Sequence, residues 1–311
     1  MSSWASKGEK RRGKARQGED PPRPSSPSFA RLRLASPAVL LLAVCASNST
    51  AQVMRDYEAA RPVRGERTIN VSLEFAAGGL RLMPGPAGTL YRLESRYDTE
   101  RFSPVSVYDS KTGRLTLGLR STGAAGIRVT SRKQLDQHAT VWLSPEVELG
   151  LEMTLGAAES RIDLGGLRLR DLLLRTGGSR TRVVFSRPGI GACREVVLEA
   201  GAGELVVDRF ANAGCRRLRL NGGVGLVTID FGGQQASPIA AELGMTMGEL
   251  TLRLPKGAGV RLTLDRFLAS FQPAGFTRQG EQFVTPDYET SQRRIDLRVS
   301  SSVGAVKVEW Y

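Results

Sequence analysis

The sequence has one histidine, three cysteines and few aromatics, 6% of 311 residues. A lone histidine, His138, denies the chain the imidazole sets that hold catalytic zinc or complete a Ser-His-Asp relay, and beside "ATVWL" it reads as structural. G-x-S-x-G, H-E-x-x-H, a P-loop and C-x-x-C are all missing. "GIGACRE" places glycines near an arginine but lacks the strand-to-helix pattern of a phosphate cradle. A β-helical polysaccharide lyase needs clustered carboxylates with Lys or Arg in one groove, and no such cluster can be assembled. These absences point away from an enzyme, with no cofactor and no metal site expected; a glycan-active enzyme stays as a third, minor reading. A regular threonine array and a row of aromatic platforms are also missing, which argues against ice, chitin or glycan binding.

Long apolar runs are missing too. The longest, Ala38 to Ala46 within "PAVLLLAVCASNSTAQ", would span roughly 14 Å as a helix and cannot cross a hydrocarbon layer of ~30 Å. Behind a basic, proline-rich head it reads as the apolar core of an export signal rather than a short buried helix. Small residues at Ser49 and Ala51 place the cut before Gln52. "LLAVC" resembles a lipobox that would lipidate Cys45, although Val44 stands where such a site prefers a smaller residue. Soluble secretion and lipid anchoring therefore both stay open, and the leader's length suggests a start downstream of Met1.

What the sequence does have is glycine and positive charge. Its 35 glycines are about 11% of the chain against a usual ~7%, which favours tight turns and an all-β fold. Of the net +13, residues 1–36 hold +6, in a Ser/Pro/Lys/Arg-rich leader too polar to pack. The remainder is spread thinly, so nucleic acid is not an expected partner. Sequons at Asn48 and Asn70 matter only in a eukaryotic secretory route, for which there is no other sign.

The stretch "VVLEAGAGELVVDRF" carries the main signal. With Gly203 as a zero mark, apolar residues fall at +2 and +4, Leu205 and Val207, and at −7 and −5, Val196 and Leu198. The template returns at Ser160, Thr181, Gly225 and Gly248, with spacings of 21, 22, 22 and 23 residues. Further copies start at Gly78, Gly113, Ala139 and Gly304, and only 264–294 fails to fit. Alternation places +2 and +4 on one side of a strand, and glycine allows a bend. A single winding of about 22 residues buries too few aliphatics to offset the entropy of ordering it. Windings stacked on one another, each covering its neighbour's edge, are therefore expected: a single-stranded β-solenoid, with a β-sandwich of coincidental spacing as the alternative.

Cys193 and Cys215 both lie ten residues before a mark, so stacking sets them on neighbouring windings. Strands about 4.8 Å apart suit a disulfide, although two buried thiols would fit as well. Outward positions give no uniform stripe: Arg161, Arg182, Glu204, Leu226, Glu249 at +1, and Asp163, Val184, Val206, Thr228, Thr251 at +3. Asp208, Asp230 and Arg253 at +5 read as a screened face rather than a cation site.

Two segments carry a resemblance. "AAGGLRLMPGPAGTLYRLESRY" looks like the N-terminal segment of bacterial toast-rack domains. The stretch from "LPKGAGVRL" to "VGAVKVEWY", with its G-F then Y loop from Gly275 to Tyr288, is similar to the C-terminal region of LiaF-like cell-wall-active-antibiotic response proteins. The resemblance covers roughly residues 65–311 and implies stacked β-coils in the cell envelope; for LiaF itself it implies a negative regulator of an envelope-stress sensor kinase. LiaF-type proteins carry several transmembrane helices ahead of this domain and this chain shows only a signal-like run, which puts kinase control in doubt. The family brings no catalytic residues to carry over.

The expected organisation is a disordered leader over 1–36, signal and cleavage region over 37–51, toast-rack-like β coils over 65–150, and solenoid coils over 151–311 with a loop-bearing coil at 264–294. The expected role is an exported, non-enzymatic scaffold, adhesin-like or stress-associated binding module, in periplasm, outer envelope or outside the cell. Its partner would be an envelope protein or cell-wall component, with membrane contact only through Cys45. The LiaF-like regulator is the alternative.

Overall fold

Alternating apolar residues interrupted by glycine build one long sheet. The computed structural model describes residues 53–123 and 136–311, so the leader, the signal, Cys45, Asn48, Ala51 and Gln52 lie outside the described residues. The strands are β1 (Met54–Pro62), β2 (Thr68–Pro84), β3 (Thr89–Asp98), β4 (Phe102–Asp109), β5 (Arg114–Ser121), β6 (His138–Leu143), β7 (Glu148–Asp163), β8 (Arg168–Val184) and β9 (Glu195–Asp208). β10 (Arg217–Asp230), β11 (Ile239–Leu254), β12 (Gly259–Phe271), β13 (Thr277–Gln279), β14 (Gln282–Val284) and β15 (Arg294–Trp310) complete it. All belong to one 15-stranded sheet, and no α-helix occurs among the described residues.

The middle of the sheet is parallel, in the order β2-β7-β8-β9-β10-β11-β15-β12. Leu205 pairs with Val227, Val227 with Leu250, and Leu250 with Val306. The next inward position stacks Leu82, Ile162, Val183, Val207, Ile229 and Leu252, all buried. The other arm of each strand stacks Val71, Leu151, Leu172, Val196, Leu218, Ala241 and Leu297. Beyond the strand ends, Phe185, Phe210 and Phe231 continue the core edge to face, with ring centroids 6.1 and 6.0 Å apart.

Each middle strand changes phase at its glycine. In β9 the buried residues are Val196 and Leu198, then Leu205 and Val207, so the inward parity switches from even to odd. The switch coincides with positive φ at Gly203 (122°), repeated at Gly225 (144°) and Gly248 (128°). These marks stack: Gly203 pairs with Gly225, Gly225 with Gly248, and Gly248 with Gly304.

The register corrects the 22-residue template in places. Thr181 pairs with Leu205, and it is Ser179 that faces Gly203; Ser160 pairs with Thr181. Ala139 pairs with Leu80, and Leu115 with Val71, so the copies marked at Ala139 and Gly113 are also displaced. The slips at Thr181 and Ala139 are of two residues, which preserves which side chains face inward, so alternation alone cannot detect them; at Gly113 the +2 residue Leu115 instead pairs with Val71, the −7 position of the Gly78 copy. Within 264–294, residues 264–271 are strand, part of β12, β13 and β14 form a hairpin, and β15 inserts between β11 and β12.

The two ends of the sheet differ. At the first, antiparallel β1, β3 and β4 finish the edges with polar side chains and proline: Arg55, Asp56 and Glu58 on β1, Pro104 on β4. Such residues discourage further pairing. At the second, the hairpin β13–β14 folds back on β12, but β14 pairs only with Arg261–Thr263.

Near that end Tyr288 is buried and donates to Asp296 Oδ1 at 2.7 Å, with the Arg261 guanidinium 4.7 Å from its ring centre. Burial, then the bond to the Asp296 carboxylate, push the Tyr288 hydroxyl up to about 12. An unfolded tyrosine titrates near 10, so this contribution is complete below about pH 10 and is lost as pH rises through about 12. Tyr288→Phe is expected to lower stability at neutral pH by about 1–2 kcal/mol and to flatten the fall between pH 10 and 12. Urea midpoints of both proteins across that range would show it; parallel curves would reject the assignment.

Candidate interaction surface

The bend at each glycine turns the residue before it outward. Simple alternation would carry the inward set −7, −5, −3 on to −1; instead, the residues at −1 are exposed. They lie in register across neighbouring strands: Ala202 with Val224, Val224 with Met247, Met247 with Val303, and Val303 with Leu268. At a strand spacing of about 4.8 Å, these five make one continuous ridge over β9, β10, β11, β15 and β12. Val224 is 53% exposed, Met247 48%, Leu268 66% and its neighbour Phe267 81%. Leu226 stands exposed beside the ridge, between Glu204 and Glu249. A contiguous apolar row of this kind marks an interaction surface more often than scattered exposed leucines do.

The ridge lies at −1, outside the outward positions +1, +3 and +5 that alternation picks out in the sequence. Its signal was nonetheless present, as an apolar residue directly before glycine in "AG", "VG", "MG" and "VG". The +1 row reads Glu159, Arg180, Glu204, Leu226, Glu249, and Arg161 and Arg182 move to the +3 row beside Val206.

Elsewhere on the strands, several charged groups pair with one another across neighbouring strands. Arg175 bridges Glu152 and Glu199 across three strands, the latter at 2.9 Å. Arg219 lies between Glu195 at 3.2 Å and Glu242 at 3.6 Å. Burial raises the Asp171 carboxyl, but the guanidiniums of Arg170 and Arg194 more than offset this and hold it below the usual range. The +5 aspartates are separately occupied: Asp208 pairs with Arg182, while Asp230 accepts from the Tyr311 hydroxyl and the Gly232 amide. Among the described residues no three His, Cys, Asp or Glu side chains converge as metal ligands.

The remaining sequence candidates are dispersed. His138 is exposed on β6, between open grooves of about 480 and 400 Å³. Asn70 accepts from Arg170 Nη2 at 2.7 Å. Cys193 and Cys215 are joined by a disulfide between the loops that lead into β9 and β10, with Cα atoms 4.4 Å apart. No helix among the described residues is long and apolar enough to cross a membrane.

Solved structures similar to the chain include a candidate cell adhesion protein from Clostridium sporogenes, at 18% identity and TM-score 0.44, covering 83% of this chain and 100% of that one. Another is a candidate adhesin from Bacteroides fragilis, at 13% identity and TM-score 0.39, covering 84% and 98%. No protein of curated function matches. The family model described as "N-terminal domain of toast_rack, DUF2154" matches residues 46–208, just over half of the chain. This chain belongs to the toast_rack family.

Proposed function

We propose that the chain is an exported, non-enzymatic β-solenoid module of the bacterial cell envelope. It acts as a scaffold or adhesin-like binding domain and grips an envelope protein or cell-wall component through the apolar ridge. The solenoid reading is supported by the in-register parallel columns, with each bent strand taken as one winding laid on the last. The ridge carries the functional reading: its apolar surface is held at a rigid corner, where binding loses little side-chain and backbone freedom. Carboxylates and guanidiniums that cancel one another across the faces favour binding over chemistry.

The test is retention on isolated envelopes of the producing bacterium. Leu226→Lys with Met247→Lys replaces exposed residues, and the new lysine at 226 lies between Glu204 and Glu249, so the fold should persist. Retention is expected to fall at least tenfold, the usual scale for losing central apolar anchors. Undiminished retention with an unchanged melting profile would remove the ridge from the account.

A further inference from the structure

On its outer side β12 is only partly covered. On the side of β12 away from β15, β14 pairs with Arg261–Thr263, and no strand among the described residues pairs with Leu264 onward. Pro273 has no N–H to donate and ends the strand on its other side. The uncovered strand edge therefore runs from Leu264 to Phe271, where β12 ends, and Gln272 extends it by one residue before Pro273, which puts Leu268 at the middle of these nine residues. Phe267 and Leu268, the most exposed large hydrophobic residues among those described, sit at that midpoint. The opposite rim of the sheet, by contrast, is blunted by charge and proline.

We infer that a second copy of this chain covers the stretch, its β12 running antiparallel to the first about a two-fold axis through Leu268. The inference rests on the reading of the ridge as an interaction surface and names what meets its open end. A two-fold axis between antiparallel edges is perpendicular to the sheet and preserves its faces, so it passes through a residue rather than between two. Centred on Leu268, the pairing uses all nine free residues. Leu268 faces its mate, Phe267 lies over the small Ala269, Arg266 faces Ser270, Asp265 faces Phe271, and Leu264 faces Gln272.

Other centres fit less well. An axis at Phe267 leaves Phe271 facing Thr263, which β14 already occupies. An axis at Arg266 or Asp265 sets like charges against each other. At Leu268 the strand of each copy turns away at Pro273, where the hairpin of the other begins. The Arg266 guanidinium, which donates to the Ala269 carbonyl at 3.0 Å, is exchanged for a strand neighbour.

The area fits a modest self-association. Covering Phe267, Leu268, the eight-residue strand edge and Gln272 withdraws on the order of 500 Å² per copy, about 1,000 Å² in all, the lower bound of a specific interface. The ridge then runs unbroken from one copy into the other, through Val303, Leu268 and their mates.

The experiment uses the full chain with Cys45→Ser, so that no free thiol competes. Sedimentation is expected to show a dimer that grows with concentration in the micromolar range, and Phe267→Asp to weaken it at least tenfold with an unchanged thermal melt. Under oxidation Leu268→Cys should give a covalent dimer. Ser270→Cys should not, because position 270 of one copy would lie more than ~13 Å from position 270 of the other. A monomer at all concentrations, an undiminished Phe267→Asp dimer, or equal crosslinking at positions 268 and 270 overturns the inference. A monomer whose ridge variants still lose envelope retention would overturn only self-pairing. A crosslinked dimer whose ridge variants keep retention would overturn only the envelope reading.

Discussion

Gly225→Ala is expected to lower the stability of the chain by about 3–5 kcal/mol. The backbone there has φ 144°, which costs a side-chain-bearing residue about 1–3 kcal/mol. A Cβ at this position would also overlap the carbonyl oxygen of Gly203 on the neighbouring strand. The obstruction is backbone, so no side-chain rotation relieves it, and forcing the strands apart adds roughly 1–3 kcal/mol. Gly178 provides the control: it has no such φ, and an added Cβ meets nothing within 4 Å. Gly178→Ala should be neutral or gain about 0.4–1 kcal/mol from a less flexible unfolded chain. Urea denaturation of the two variants beside the parent decides the matter; equal midpoints would show that the corner tolerates a side chain.

Removing the covalent link between Cys193 and Cys215 should lower stability by about 3 kcal/mol, the chain-entropy value for a closed loop of 22 residues. The link ties the loop entering β9 to the loop entering β10, and both cysteines are buried. Cys193→Ser with Cys215→Ser should shift the urea midpoint as far as reductant shifts the parent, and reductant should then leave the variant unmoved. Thiol titration of the native, unreduced protein should label neither residue. Labelling of both, or a midpoint indifferent to reductant, would exclude a structural role for the bridge.

Much of the sheet was legible because apolar alternation and glycine spacing are local signals. The column of Leu205, Val227 and Leu250, and the apposition of Cys193 with Cys215, follow from counting. Registers around Thr181 and Ala139 were not legible, because two-residue slips leave the same side chains facing inward. The place of β15 was hidden for a related reason: β11, β12 and β15 carry the same inward pattern, so nothing local says which two are neighbours. β12 escaped notice because Ala269, not glycine, stands opposite Gly304. The ridge was missed because its exposure depends on a backbone angle at the following glycine, which reverses the side that alternation assigns to Val224 and Met247.

The position of β15 has a consequence for how the molecule is completed. Among the described residues, β12 and its hairpin pair with the rest of the sheet only through β15. While the chain emerges from N- to C-terminus, β11 is left with a bare flank, and β12 already exists with no seat beside it. With Arg294–Trp310 between them, β11 and β12 each gain a parallel partner from the same strand. Without Arg294–Trp310, β11 would lose its parallel neighbour on that side and β12 the strand that seats it, so one segment holds two others in place.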